Sequence, residues 1–217
     1  MSTNWNSYWT NRKLNWGQAY WTPGHPHRQI FVDMLRTSPP KHILEIGCGA
    51  GANLFLLKKA FPSALIAGCD INPEAIETAK KMFKDYDQEE KLGQPKEEGP
   101  EVCFKVGSVE AIPFHGDTFD LVLTDACLIY VGPDKIRRAL REIRRVAYEK
   151  VMFCEFHSES WWKRTALKIT SGYNAYDYEK LLGKYFFKYI RLSKIPKEVW
   201  PGEPCWETFG TIATALR

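Results

Sequence analysis

The chain has 217 residues, 44% hydrophobic and 26% charged, which suits one sizeable globular domain with a proper core. A net charge of +4 is too mild to imply nucleic acid by itself, and no apolar run approaches the roughly 18 residues of a membrane span. Met1-Ser2-Thr3-Asn4-Trp5 is polar and aromatic rather than a basic-apolar signal segment. Cys48, Cys69, Cys103, Cys127, Cys154 and Cys205 are widely spread, with no C-x-x-C pair and no Cys/His cluster of zinc spacing. They read as reduced core residues of a cytoplasmic protein without a metal site.

Residues 1–28 read as an aromatic arm. Trp5, Tyr8, Trp9, Trp16, Tyr20 and Trp21 stand among polar residues, with almost no aliphatic ones. Such an arm either packs across the domain surface or lies over a pocket as a lid, where aromatic faces attract a cation. Thr22-Pro23-Gly24-His25-Pro26-His27 is a turn-rich hinge. His25 and His27 read as surface or hinge residues, because two histidines without a clustered carboxylate or cysteine make a weak metal signal. One of them, or Arg28, can instead pair with a ligand carboxylate. A helix is predicted over 28–36, ended by Ser38-Pro39-Pro40.

His42-Ile43-Leu44-Glu45-Ile46 then forms a short apolar run carrying a carboxylate. Gly47, Gly49 and Gly51 follow at alternate positions, and a helix restarts over 52–61. This is a buried strand, a tight turn and a helix start, and ligands of open α/β sheets bind above such turns. Gly47, Gly49 and Ala52 also fit the dinucleotide pattern G-x-G-x-x-A, a weak signal alone. Glu45 would sit poorly beside a pyrophosphate and suits a ligand that carries a sulfonium and an α-amino group.

Glu45-x-Gly47-x-Gly49-x-Gly51 resembles the first motif of the class I methyltransferases, which use S-adenosylmethionine. In many of those families the segment before the first strand covers the cofactor, which agrees with a lid role for the arm. The run 64–70 is a strand buried on both faces, followed by Asn72 as N-cap and Pro73 at the first position of a helix. Asp70 at its end can accept both ribose hydroxyls of a nucleoside, the role the resemblance implies, or can simply cap the helix. Residues 85–100 read as a solvated polar loop. Residues 101–108 are the third strand, and Val109 to Phe114 is similar to the segment that wraps the adenine in the family. Ser108 stands where most members have an acid, so it and Val109 are the implied adenine contacts.

Phe119-Asp120 ahead of an apolar strand is another feature shared with the family. Thr124, Asp125 and Ala126 fall at that strand's carboxyl end, beside the glycine turn. Asp125 there orients an acceptor, takes its proton, or serves only as a loop residue. Residues 127–134 form a loop holding Tyr130. The helix over 135–147 is apolar on one side and carries Arg137, Arg138, Arg141, Arg144 and Arg145 on the other, which reads as a solvated outer face. Residues 150–157 are the fifth strand, without the Pro-Gly-Gly turn that commonly precedes it in the family. His157 near its end is a candidate general base, since its pKa lies near neutrality, or a hydrogen-bonded rim residue. The aromatic segment 158–184 corresponds to one that shapes the acceptor pocket in the family. Residues 186–196 and 205–216 read as two β-rich runs, the family's closing edge pair.

The resemblance covers about residues 29–217 and implies a doubly wound α/β domain. Its sheet has seven strands, mostly parallel with a C-terminal antiparallel edge pair, and helices on both faces. The implied cofactor site comprises Glu45, Gly47, Cys48, Gly49, Gly51, Asn53, Asp70, Ile71, Ser108, Val109, Asp125 and Ala126, with Asp125 and His157 as candidate catalytic residues. The expected reaction is methyl transfer from S-adenosylmethionine to a small molecule, planar or cationic, with no nucleic acid or membrane partner. An NAD-dependent oxidoreductase, a non-catalytic binding module, and a methyltransferase acting on a protein or nucleic acid remain alternatives. Oligomeric state is not readable.

Overall fold

A computed structural model describes the backbone of residues 4–90 and 102–217, and the side chains of all of these except 85–90. At its centre is strand β1 (His42–Ile46), where Ile43 faces one core cluster and Leu44 and Ile46 the other. This two-sided burial explains the continuous apolar run in the sequence. Burying each such side chain stabilises by roughly 1.5–3 kcal/mol.

Parallel strands β2 (Leu65–Asp70) and β4 (Phe119–Asp125) flank β1. β3 (Val102–Val106) pairs outside β2, and β5 (Ala147–Phe156) outside β4. β7 (Gly210–Leu216) runs antiparallel to β5, and β6 (Lys188–Lys194) antiparallel to β7. The seven strands lie in the order β3-β2-β1-β4-β5-β7-β6. The strand order reverses between β1 and β4, so the crevice for a ligand opens above their carboxyl ends.

Helices α3 (Pro26–Leu35), α4 (Ala52–Ala60) and α5 (Pro73–Glu90) cover one face, through Phe31, Leu35, Leu54, Leu57, Ile76 and Phe83. Helices α6 (Ile136–Val146) and α8 (Tyr178–Lys184) cover the other, through Leu140, Ile143, Val146, Tyr178 and Leu182. The short helices α1 (Trp5–Thr10) and α2 (Trp16–Tyr20) make up the arm. α7 (Trp161–Ser171) and α9 (Pro204–Phe209) follow β5 and precede β7. Among the described residues, no helix is long and apolar enough to cross a membrane.

Several boundaries differ from the sequence reading. α3 begins at Pro26, because proline suits the first helical position and His25 accepts a backbone hydrogen bond as its cap. Residues 85–90, expected in a loop, continue α5, since Gln and Glu are good helix formers. The rest of that stretch lies outside the described residues. Cys205–Phe209, expected in a strand, is helical because Pro204 starts α9, and β7 begins only at Gly210. The arginine face of α6 is not simply solvated. Arg145 donates to the carbonyls of Ile112 and Phe114 and pairs with Glu142, while Arg138 donates to Glu110 O, so the helix clamps the 110–114 segment.

Candidate functional site

The glycine turn after β1 is hooked to the neighbouring strand: Gly47 and Cys48 N–H both donate to Cys69 O, at 2.7 and 3.1 Å. Gly47 has φ +75°, and a Cβ there would lie 2.8 Å from the Cys127 side chain. No other residue fits this turn without displacing the loop after β4. Asp70 ends β2 with Oδ2 accepting from Gly49 N–H at 3.0 Å and Oδ1 from Asn72 N–H at 2.8 Å. Burial raises its pKa against the lowering effect of those donors.

Above these strand ends lies a cavity of about 320 Å³. Glu45, Gly47, Cys48, Gly49, Asn53, Asp70, Ile71, Ser108, Val109, Asp125 and Ala126 all border it. Gly51 does not. It caps α4 at φ +85°, and a Cβ there would meet Phe83 at 3.1 Å, so its part is to shape the turn. His157 is also outside. It follows the end of β5, half-buried, with Nδ1 accepting from Tyr178 N–H at 3.2 Å, and burial lowers its pKa. The candidate base at 157 is therefore a residue that ties α8 to the end of the strand.

The polar centre of the cavity is a network in which Asn53 bridges two carboxylates. Its Nδ2 donates to Glu45 Oε1 at 2.6 Å and to Asp125 Oδ2 at 3.0 Å, and its Oδ1 accepts from Arg28 at 2.5 Å. His27 Nε2 lies 2.8 Å from Asp125 Oδ2, and His27 Nδ1 lies 2.6 Å from His25 Nδ1. His27 is only 4% exposed, so the surface reading of this histidine is corrected. The signal lay in Pro26, which starts the helix early and turns His27 inward, but a buried carboxylate 98 residues away is invisible in sequence.

The two carboxylates differ in state. Burial pushes Glu45 up to about 8, with the Asn53 hydrogen bond opposing. Burial acts on Asp125 in the same sense, but His27 and Arg28 outweigh it and hold this carboxyl well below the usual range. Glu45 Oε2 and Asp125 Oδ1 are buried without a protein partner. A third buried acid, Glu155, accepts from the backbone N–H groups of Cys127, Leu128 and Ile129 at 2.9–3.1 Å. It fixes the turn 127–131 that carries Tyr130 into the cavity wall.

Aromatic residues close the remaining sides. Trp5 packs on Tyr130 at 5.0 Å and on Tyr173 at 5.8 Å, and Trp9 packs on Tyr130 at 5.0 Å. Trp200 stacks on Trp206 at 4.2 Å and on His27 at 4.3 Å. The arm is tied down by polar contacts. Asn72 Nδ2 donates to the carbonyls of Trp9 and Arg12, Trp5 Nε1 to Gly172 O, and Asn6 to Glu110.

Residues 43–149 match the family described as a methyltransferase domain. The chain is 35% identical over 108 residues to norajmaline N-methyltransferase of Rauvolfia serpentina, a match covering 50% of this chain and 32% of that protein. It is 33% identical over 85 residues to ribosomal protein L11 methyltransferase of Burkholderia cenocepacia, covering 38% and 28%. The chain thus spans about a third of the length of these curated relatives. In fold it is similar to magnesium protoporphyrin IX methyltransferase from Synechocystis, a structure with bound S-adenosylhomocysteine. The TM-score is 0.63 at 17% identity, covering 99% of this chain and 93% of that one.

The fold, the glycine turn and the family match together define a Rossmann-like α/β domain of the methyltransferase type. The chain belongs to the class I S-adenosylmethionine-dependent methyltransferases, and S-adenosylmethionine is the cofactor of that family.

Proposed function

We propose that the protein transfers a methyl group from S-adenosylmethionine to a small-molecule acceptor. The observation that carries this reading is the aromatic lining of the cavity, to which the arm, the turn after β4 and the segment before β7 all contribute. A flat or compact molecule fits such a chamber better than a polymer. The name of norajmaline N-methyltransferase agrees with this reading, whereas that of the L11 enzyme favours a protein acceptor.

The residues present fit the cofactor. Asp70 would hold the ribose, Ser108 and Val109 the adenine, and the buried unpartnered oxygens of Glu45 and Asp125 suit the amino end. Gly47 and Gly49 keep side chains out of the cradle. When bound, S-adenosylmethionine supplies an electrophilic methyl group on a sulfonium. The protein's own contribution would be proximity and orientation. The described part of the arm, residues 4–28, would act as the lid. Asp125, already paired with His27 and Arg28, is too weak a base to take a proton and serves instead to hold that pair in place.

Titration calorimetry with S-adenosylmethionine, S-adenosylhomocysteine and NADH tests the cofactor. Micromolar binding of the first two and none of the third is expected. NADH binding alone would turn the reading to an oxidoreductase. Asp70→Ala should lose cofactor affinity while keeping the fold, and unchanged affinity in that variant would sink the ribose assignment. Turnover of ribosomal protein L11 in preference to a panel of small phenols, thiols and amines would overturn the small-molecule acceptor.

A further inference from the structure

We infer that α7 is a docking surface for an anionic lipid bilayer, lying flat on it with Trp161, Trp162 and Ile169 in the headgroup boundary. The inference does not depend on which acceptor is methylated. An ordinary surface helix turns its apolar side inward. α7 does the reverse. Leu167 is its one buried residue, in a cluster with Ile129, Phe156 and Ala175. Trp161 is 71%, Trp162 57% and Ile169 79% exposed. At about 3.6 residues per turn, Trp161, Thr165 and Ile169 stand in one row, with Trp162 and Ala166 in the row beside it. Leu167 points to the opposite side. An exposed apolar face of this kind marks a contact surface.

The polar groups around the face select the partner. Lys163 stands on one flank and Arg164 and Lys168 on the other, and the helix carries no acid. Lys163 Nζ lies over the Trp162 ring at 5.6 Å. The hydroxyls of Thr165, Thr170 and Ser171 donate to the helix's own carbonyls at Trp161, Ala166 and Leu167, at 2.8–3.0 Å. Hydroxyls turned back in this way leave an apolar outer surface that suits a low-dielectric boundary. A protein groove would have to supply acids along both rims, whereas anionic headgroups supply them on every side. Indole rings and lysine stems both suit the headgroup layer. The expectation of no membrane partner rested on the lack of a spanning run, which a helix lying in the interface does not need. Its 11 residues make a rod about 16 Å long.

The docking face adjoins the arm. Gly172, the C-cap of α7, accepts at its carbonyl from Trp5 Nε1 at 3.0 Å, and Tyr173 stacks on Trp5 at 5.8 Å. Trp5 borders the cavity, so a bilayer against α7 lies beside the arm.

Flotation of the full chain with vesicles tests the inference. The vesicles are phosphatidylcholine alone, or phosphatidylcholine with phosphatidylglycerol. Binding is expected to the mixed vesicles, stronger than to phosphatidylcholine alone and weakening as salt is raised. Trp161→Ser combined with Trp162→Ser should lower the partition constant more than about tenfold. Lys163→Ser should lower it about fivefold. Both variants should keep the wild-type Tm, because the side chains they lose are exposed. Tyr189→Asn is the control. It removes an exposed ring at the far end of the sheet, where β6 pairs with Leu216, and asparagine tolerates its φ of +51°. This variant should bind as the wild type does. No binding of the wild type to mixed vesicles overturns the proposal, as does an equal loss in Tyr189→Asn. A wild-type dimer that the double tryptophan variant breaks, without vesicle binding, also overturns it and makes the face a contact between copies.

Discussion

Glu45 ends the apolar run of β1 with one oxygen bound by Asn53 and the other without a protein partner. Its pKa rises on folding from an ordinary 4.5 to about 8. Below about 4.5 both states hold the proton and the group costs nothing. Between about 4.5 and 8 the unfolded chain releases a proton that the native state keeps, so stability falls as pH rises. Glu45→Gln should flatten this decline, so that urea unfolding at the two ends of the window gives more similar free energies than in the wild type. Asn53 is the joint between the acids. Asn53→Ala leaves Glu45, Asp125 and Arg28 each short of a buried partner and should cost about 3 kcal/mol in denaturant unfolding.

Asn72 links two elements at once. Its Oδ1 caps α5 by accepting from Glu74 and Ala75 N–H, and its Nδ2 holds the arm at Trp9 and Arg12. Asn72→Asp keeps the cap and removes both donors. The new oxygen would face the Trp9 and Arg12 carbonyls in a fully buried position, so stability to urea should fall by more than about 1 kcal/mol, and limited proteolysis should cut the α1–α2 arm faster than in the wild type. Glu155→Ala removes the acceptor of three backbone N–H groups at the turn that bears Tyr130. A loss of about 3 kcal/mol or more is expected from denaturant unfolding, along with weaker binding of any aromatic probe.

For the whole molecule, the cavity sits where the strand order reverses, between two core clusters that pack the opposite faces of one sheet. A ligand there binds only the folded state. S-adenosylhomocysteine at a hundred times its dissociation constant should therefore add about 2.7 kcal/mol to unfolding, read as a raised Tm in calorimetry. An unmoved Tm would count against the cavity as the cofactor site.

Local order carried most of the fold. The buried run 42–46 with its glycine turn, the apolar run ending at Asp70, Phe119-Asp120 and the final strand each depend on residue type and near-neighbour spacing, so they are legible along the chain. Glu45, Asp70 and Asp125 were legible for the same reason, as acids at the ends of apolar strands. The extent of α5, the helix over 204–209 and the inward turn of His27 were not. Polar residues form a helix or a loop with similar local cost, and only packing or a cap selects between them. The His25–His27–Asp125 chain, the bridge through Asn53, and the retirement of His157 to a tie on α8 depend on contacts between residues far apart in sequence. The sequence by itself determined the sheet, its glycine turn and the acids above it. Tertiary structure alone decided which of those acids keeps its proton, because burial and the distance to a partner set a pKa, and neither is written in local spacing.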